Sequence, residues 1–268
     1  MSEKRARGRP RAFHDKTAQN TIQSLDRAMR ILEALSEAGA APLSGLAGGL
    51  GESPATVYRV LVTLQARDIV AFDEASQSWA VGAGAFHIGS AFLRRTGLAE
   101  AARPILRALM EETGETANLG IARGAEVLFL AQVETQESLR AFFPPGTLSP
   151  LHASGIGKAL LAQLEPERLA RYLASAALTR FTERTLATRQ ALAADLEATR
   201  ARGYALDTEE KAPGMACVAA PVFDALGEAV AGLSVSGPVS RLPAARTAEI
   251  GGQVAAAAAR LSRRLGAP

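Results

Sequence analysis

The chain has 268 residues, 48% of them hydrophobic and 21% charged, with a net charge of +3; that length suits one large or two ordinary domains, each able to bury a core. It contains no run of about 18 apolar residues, and its start, MSEKRARGRP, lacks the apolar centre of a secretory signal, so a cytoplasmic protein without a membrane segment is expected. Cys217 is the only cysteine and His14, His87 and His152 are scattered, which excludes an intrachain disulfide and gives no metal-ligand spacing; no cofactor is expected.

Residues 1–20 form a basic arm, with Lys4, Arg5, Arg7, Arg9, Arg11 and Lys16 set against Glu3 and Asp15. The remainder is close to neutral, and a basic arm on a neutral body points to a polyanion partner. Arg7, Arg9 and Arg11 lie in RGRPR, which resembles an AT-hook core that follows a narrow minor groove; the bland alternative is a solvated tail.

From Thr21 the pattern turns helical, with Ile22, Leu25, Met29, Leu32 and Leu35 at spacings of three and four and a stop before Gly39. A second helical segment, Ser44 to Leu50, is weakened by Gly45, Gly48 and Gly49. Ser53 and Pro54 have the types that cap and open a helix. That helix runs to about Arg67, burying Val57, Val60, Leu61 and Leu64 and leaving Ala55, Thr56, Arg59 and Thr63 outward. IVAFD and SWAVG then read as two strands joined by a polar turn. Three helices and a two-stranded wing over 21–82 describe a winged helix-turn-helix. Its third helix would enter a major groove of operator DNA, with Ser53, Thr56, Tyr58 and Arg59 at the contact. The alternative is a small helical protein-interaction domain.

Residues 83–99 suit a linker helix, and residues 100–268 a mixed domain. That domain shows a helix over Arg103 to Glu112 and strand-like runs at Thr116 to Ala122, Glu126 to Val133 and Leu139 to Phe143. Helices follow at Ser154 to Leu164 and Thr188 to Arg202, then strands at Ala216 to Phe223 and Ala229 to Ser236, and a last helix from Pro243. Paired strands on either side of a helical stretch imply an α+β fold rather than a doubly wound sheet. Within it LHASGIGKALL is not a P-loop, because Gly157-Lys158 is followed by Ala159 and no glycine stands five residues before Gly157.

These residues resemble the IclR family of bacterial transcription regulators over nearly the whole chain. In the first half the resemblance rests on TIQSLDRA (21–28) and TVYRVL (56–61). In the second it rests on Gly146 with PLHAS and Gly157-Lys158, on Asp207 with Glu209-Glu210, on Gly214 with Cys217-Val218-Ala219 and Pro221, and on Ser234 with Ser236-Gly237-Pro238. Arg67-Asp68 departs from it at a turn where the family commonly has glycine. The resemblance implies a winged helix-turn-helix, a linker helix and a GAF-like effector-binding domain. It also implies a homodimer, often a dimer of dimers, acting on palindromic operator DNA.

By the same resemblance the effector is a small carboxylate, with glyoxylate first and pyruvate second, or an aromatic or hydroxy acid in other members. The amides of Gly155 and Ile156 would take its carboxylate at a helix start; Asp207, Cys217, Ser234 and Ser236 would form a polar ring, and Met215 would close the apolar side. Lys158 either supplies a counter-charge or points to solvent. Each of these residues also has a plain structural reading, such as Cys217 as a small buried hydrophobe. The competing class is a thiol hydrolase with Cys217 as nucleophile, His152 as base and Asp207 as orienter. Against it, Cys217 lies in an apolar strand run rather than at a site that stabilises a thiolate.

Overall fold

The computed structural model describes residues 21–267, which leaves the arm and its Arg7, Arg9 and Arg11 outside the described residues. The chain divides into two compact units at Arg94/Arg95. The first contains α1 (Gln23–Ala38), β1 (Ala40–Ala41), α2 (Leu43–Leu50), α3 (Pro54–Gln65), β2 (Val70–Asp73), β3 (Ser78–Val81) and α4 (Ala83–Thr96). Ile31 and Leu35 of α1, Leu46 and Ala47 of α2, Val57 and Leu61 of α3, and Val70 and Trp79 of the wing share one core. That shared burial offsets the intrinsic weakness of glycine-rich α2, since tertiary packing overrides helix propensity. The wing gains a third strand the sequence did not announce: β1 pairs with β3 through Ala40 and Ala41, in the order β1-β3-β2.

The departure at Arg67-Asp68 has a geometric meaning. Asp68 sits at φ +57°, the left-handed region that glycine occupies freely and Asp tolerates better than most residues. Its carbonyl accepts from the N–H of Gly84 at 2.8 Å, joining the end of α3 to the start of α4.

In the second unit six strands form one antiparallel sheet, ordered β6-β5-β4-β9-β8-β7: β4 (Thr116–Arg123), β5 (Glu126–Val133), β6 (Leu148–Pro150), β7 (Ala205–Thr208), β8 (Met215–Phe223) and β9 (Ala229–Pro238). Helices α5 (Leu98–Thr113) and α9 (Thr247–Arg264) pack together against the sheet, and α6 (Gly155–Leu161) packs on β8 and β9 with α8 (Arg189–Arg202) beyond it. Helix α7 (Pro166–Ser175), and the short strands β6 and β7, were not expected. All three are too brief to print a long period. The α+β expectation holds, but the proposed strand at Leu139 to Phe143 is irregular chain. Its side chains serve as a cover instead: Phe143 stacks on Phe129 with centroids 4.9 Å apart.

Two glycines set where α6 can lie. A Cβ on Gly157 would fall 2.2 Å from the Leu151 carbonyl oxygen, and one on Gly232 would fall 2.8 Å from Ile156 Cγ2. Their bareness lets the turn at Leu151–Ala153 fold back on α6 and lets α6 rest against β9. Among the described residues no helix is long and apolar enough to cross a membrane, and no group of three or more His, Cys, Asp or Glu could hold a metal ion.

Candidate functional site

A cavity of about 30 Å³ lies at the start of α6, walled by Ser154, Gly155 and Ile156, by Asp207, Cys217, Ser234 and Ser236 of the sheet, by Phe129 and Phe143, and by Lys211. Strand register assembles the sheet side. Asp207 pairs with Cys217 and Cys217 with Ser236, while alternation puts Ser234 on the face of Ser236. Ser154 caps α6 by accepting from the Gly157 N–H. The N–H groups of Gly155 and Ile156 are first-turn donors with no helix carbonyl to bond. Helix α6 spans only Gly155–Leu161, so these local donors matter more than a summed dipole.

Six of the seven residues expected at the effector site thus converge on this cavity, and the seventh needs a correction. Met215 is not part of the cavity wall: it stands at the outer end of β8 opposite Pro238, and two strand positions carry it past the α6 start. Phe129 and Phe143 supply the apolar side in its place. No motif marked either aromatic, because Phe129 reads as ordinary strand and Phe143 lies in a loop.

Asn118 is the residue sequence reasoning missed entirely. It is fully buried on β4, and its Nδ2 donates to Ser234 Oγ and to Ser236 Oγ, both at 3.3 Å. Gln132 Nε2 donates to Asn118 Oδ1 at 3.0 Å, which fixes the amide's orientation. With their oxygens already accepting from Asn118, both serine hydroxyls keep a proton to donate elsewhere. The only sequence signal was a polar residue on a strand otherwise fully buried over residues 116–120, where an unpartnered amide would be costly.

Beneath the wall lies a buried charge cluster. Lys158 is fully buried; its Nζ donates to Glu210 Oε1 at 2.6 Å and lies 3.0 Å from Asp195 Oδ2. It therefore neither reaches solvent nor lines the cavity, contrary to both alternatives its position suggested. Glu210 in turn donates its N–H to Asp207 Oδ1 at 2.8 Å, linking the cluster to the site. Burial pushes Asp207 up to about 6, opposed by that N–H and by Lys158, and pushes Glu210 up to about 7, opposed by Lys158. A carboxyl whose pKa is raised by folding holds a proton the unfolded chain releases, so its contribution to stability falls as pH rises from about 4.5 to about 7. The Glu210→Gln variant, which cannot titrate there, should gain stability relative to wild type across that window, read from denaturant midpoints at several pH values. A difference between the two proteins that is flat with pH would contradict the assignment.

The hydrolase reading fails on the same geometry. Burial, then the nearby Asp207 carboxylate, pushes the Cys217 thiol up to about 11, leaving it protonated and a poor nucleophile. His152 Nε2 is engaged with the Thr179 carbonyl at 2.9 Å and its ring stacks on Phe181, so it is not presented to the thiol.

In the first unit Ser53 accepts from the Thr56 N–H at 3.2 Å and its hydroxyl meets Thr56 Oγ1 at 2.8 Å. Ser53 and Thr56 thus fix the start of α3, and Tyr58 and Arg59 stand exposed on its surface. Thr56, Tyr58 and Arg59 also border an open groove of about 730 Å³ between α1 and α3, with Arg27 and Arg67 at its edge. It is far larger than the cavity, yet wide and solvent-filled, so it lacks the converging buried polar groups that define a small-molecule site.

Comparison with known proteins matches residues 24–74 to the IclR helix-turn-helix domain and residues 90–263 to the C-terminal domain of the bacterial transcriptional regulator IclR. The chain is 54% identical over 261 residues to the HTH-type transcriptional regulator BhcR of Paracoccus denitrificans, covering 96% of this chain and 94% of that one. It is 40% identical over 255 residues to the transcriptional repressor IclR of Escherichia coli, covering 94% and 93%. The crystal structure of Thermotoga maritima IclR superimposes with a TM-score of 0.76 at 30% identity, covering 92% of this chain and all of that one.

Proposed function

This chain belongs to the IclR family of bacterial transcription regulators, and from that premise we propose that it senses a small 2-oxo acid, glyoxylate first and pyruvate second, and thereby controls genes for that acid's metabolism. The observation that carries the effector is the cavity at the start of α6: small, walled by hydroxyl and amide donors, with its serine oxygens accepting from Asn118. A carboxylate is an acceptor only, so a ring of donors matches it. Asp207, through a bridging water or in its protonated form, which burial favours by raising its pKa to about 6, would meet the oxo oxygen without repelling the ligand. The cavity is small, at about 30 Å³, which suits an acid of a few heavy atoms, whereas an aromatic acid would require the wall to yield. That gradation favours the shortest acids over aromatic ones.

In this reading α3 enters the major groove of the operator, Ser53 and Thr56 fixing its start and Tyr58 and Arg59 facing DNA; Arg7, Arg9 and Arg11 of the arm would reach the adjacent minor groove. The protein works in the cytoplasm as a homodimer, with a dimer of dimers as the next step, and its operator is accordingly palindromic. Leu25, Met29, Phe86 and Ile88 on α1 and α4 are exposed apolar side chains available to such self-association. Acid binding shifts the balance between two arrangements of the paired recognition helices, changing operator affinity.

The test is a gel shift of the full-length protein on DNA upstream of its own gene and its neighbours, with glyoxylate, pyruvate and benzoate titrated separately. A specific complex altered by the 2-oxo acids and indifferent to benzoate is expected. Binding that ignores every acid would remove the effector assignment and keep the regulator.

A further inference from the structure

The charges around the cavity do not balance for an anionic guest. Asp207 and Lys211 are its only charged wall residues among those described, with Cys217 a neutral thiol. Lys158, the cation of the buried cluster, is already shared between Glu210 and Asp195. Among the described residues Lys211 makes no ion pair within 4.0 Å; instead its Nζ rests on the face of Phe181, 3.4 Å from the ring centroid. Lys211 thus lines the cavity while its ammonium sits on a ring that is not part of that wall.

We propose that Lys211 is the charge-reading residue of the effector site: its ammonium rests on Phe181 when no anion is bound and swings to the carboxylate of the acid when one enters. The inference rests on the small-acid reading of this cavity and adds the cation that reading lacks.

Three observations support the swing. The ring gives a partly desolvated ammonium only partial compensation, whereas an anion in a low-dielectric cavity attracts it more strongly. Burial lowers the Lys211 pKa, and the Asp207 carboxylate acts against it, so the ammonium is short of solvation where it now rests. The backbone beside it is held. Thr185 Oγ1 donates to the Glu210 carbonyl and Thr182 Oγ1 to the Glu209 carbonyl, both at 2.6 Å, and the Phe181 N–H donates to Thr185 Oγ1 at 2.9 Å. Ring and lysine therefore belong to one stitched frame, and the motion required is a side-chain rotation.

The experiment is isothermal titration calorimetry of the full-length protein with glyoxylate, pyruvate and the uncharged pyruvamide, on wild type and on the Lys211→Met, Lys211→Arg and Phe181→Leu variants. Thermal melting and operator shifts confirm that each variant is folded. Lys211→Met should bind the two acids about tenfold or more weakly, as expected for losing a charge-assisted hydrogen bond, and should lose most of the preference for pyruvate over pyruvamide. Lys211→Arg should stay close to wild type. Phe181→Leu should bind the acids at least as tightly as wild type, because the ring competes with the anion for the ammonium. A Lys211→Met protein that keeps both its affinity and its acid-over-amide preference overturns the proposal and leaves the effector reading standing. A wild type that binds neither acid overturns both.

Discussion

Lys158→Met is expected to cost the full-length protein about 3–5 kcal/mol of stability, the range found when one partner of a buried ion pair is removed. The lysine is fully buried, and one ammonium holds carboxylates from two separate elements, Glu210 beside the cavity and Asp195 on α8. Methionine fills nearly the same volume, so the loss reports charge rather than a void. What remains is Glu210 without its cation, its Oε2 already lacking a hydrogen-bond partner among the described residues, and Asp195 with only Arg202 Nη2 at 3.5 Å. Urea unfolding should show a lower midpoint with an unchanged slope. Because the stranded carboxyls can escape by taking up protons, the loss should be greater at pH 8 than at pH 6. Adding Glu210→Gln should restore part of it. A single variant as stable as wild type at pH 8 would mean that Lys158 is not the cation that holds this cluster together.

Replacing Ser234 and Ser236 together by alanine is expected to weaken binding of glyoxylate or pyruvate by at least about 100-fold, since each hydroxyl donated to a charged acceptor contributes about 1.5–3 kcal/mol. Both hydroxyls line the cavity and both accept from Asn118 Nδ2, so the double variant removes two ligand donors at once. It also leaves the Asn118 amide short of partners, and a modest fall in melting temperature should accompany the loss. Operator binding without acid should persist, because the α3 surface belongs to the other unit. Asn118→Ala separates the two roles: it keeps the hydroxyls but frees them to turn, and should weaken the acid less than the double replacement. If the double variant still answers the acid as wild type does, the effector binds elsewhere.

Much of this architecture was legible because the relevant signals are local. The three- and four-residue spacing of Ile22, Leu25, Met29, Leu32 and Leu35 announced α1, although the core takes Ile31 and Leu35 and leaves Ile22, Leu25 and Met29 exposed; the Ser53-Pro54 start of α3 and the alternation through the wing likewise follow from one stretch of chain. The proposed effector residues were suggested for a different reason, their match to a known pattern of motifs, and period-two alternation puts Ser234 and Ser236 on one face. The reach of such patterns ended at Met215, which shares the motif of Cys217 but stands beyond the cavity at the end of β8.

What only the tertiary structure decided is the set of partners that side chains find far away in sequence. Asn118 meets the two serines across a separation of 116 to 118 residues, and Lys158 reaches Glu210 across 52. Phe143, a strand residue by composition, becomes a lid by stacking on Phe129, and Lys211 faces a cavity on one side and an aromatic ring on the other. The physical reason is the same in each case. Periodicity tells which side of an element is buried, because burial follows the repeat of the backbone, whereas the identity of a buried polar group's partner depends on sheet order and register, here the placement of β4 beside β9 and of α6 across both.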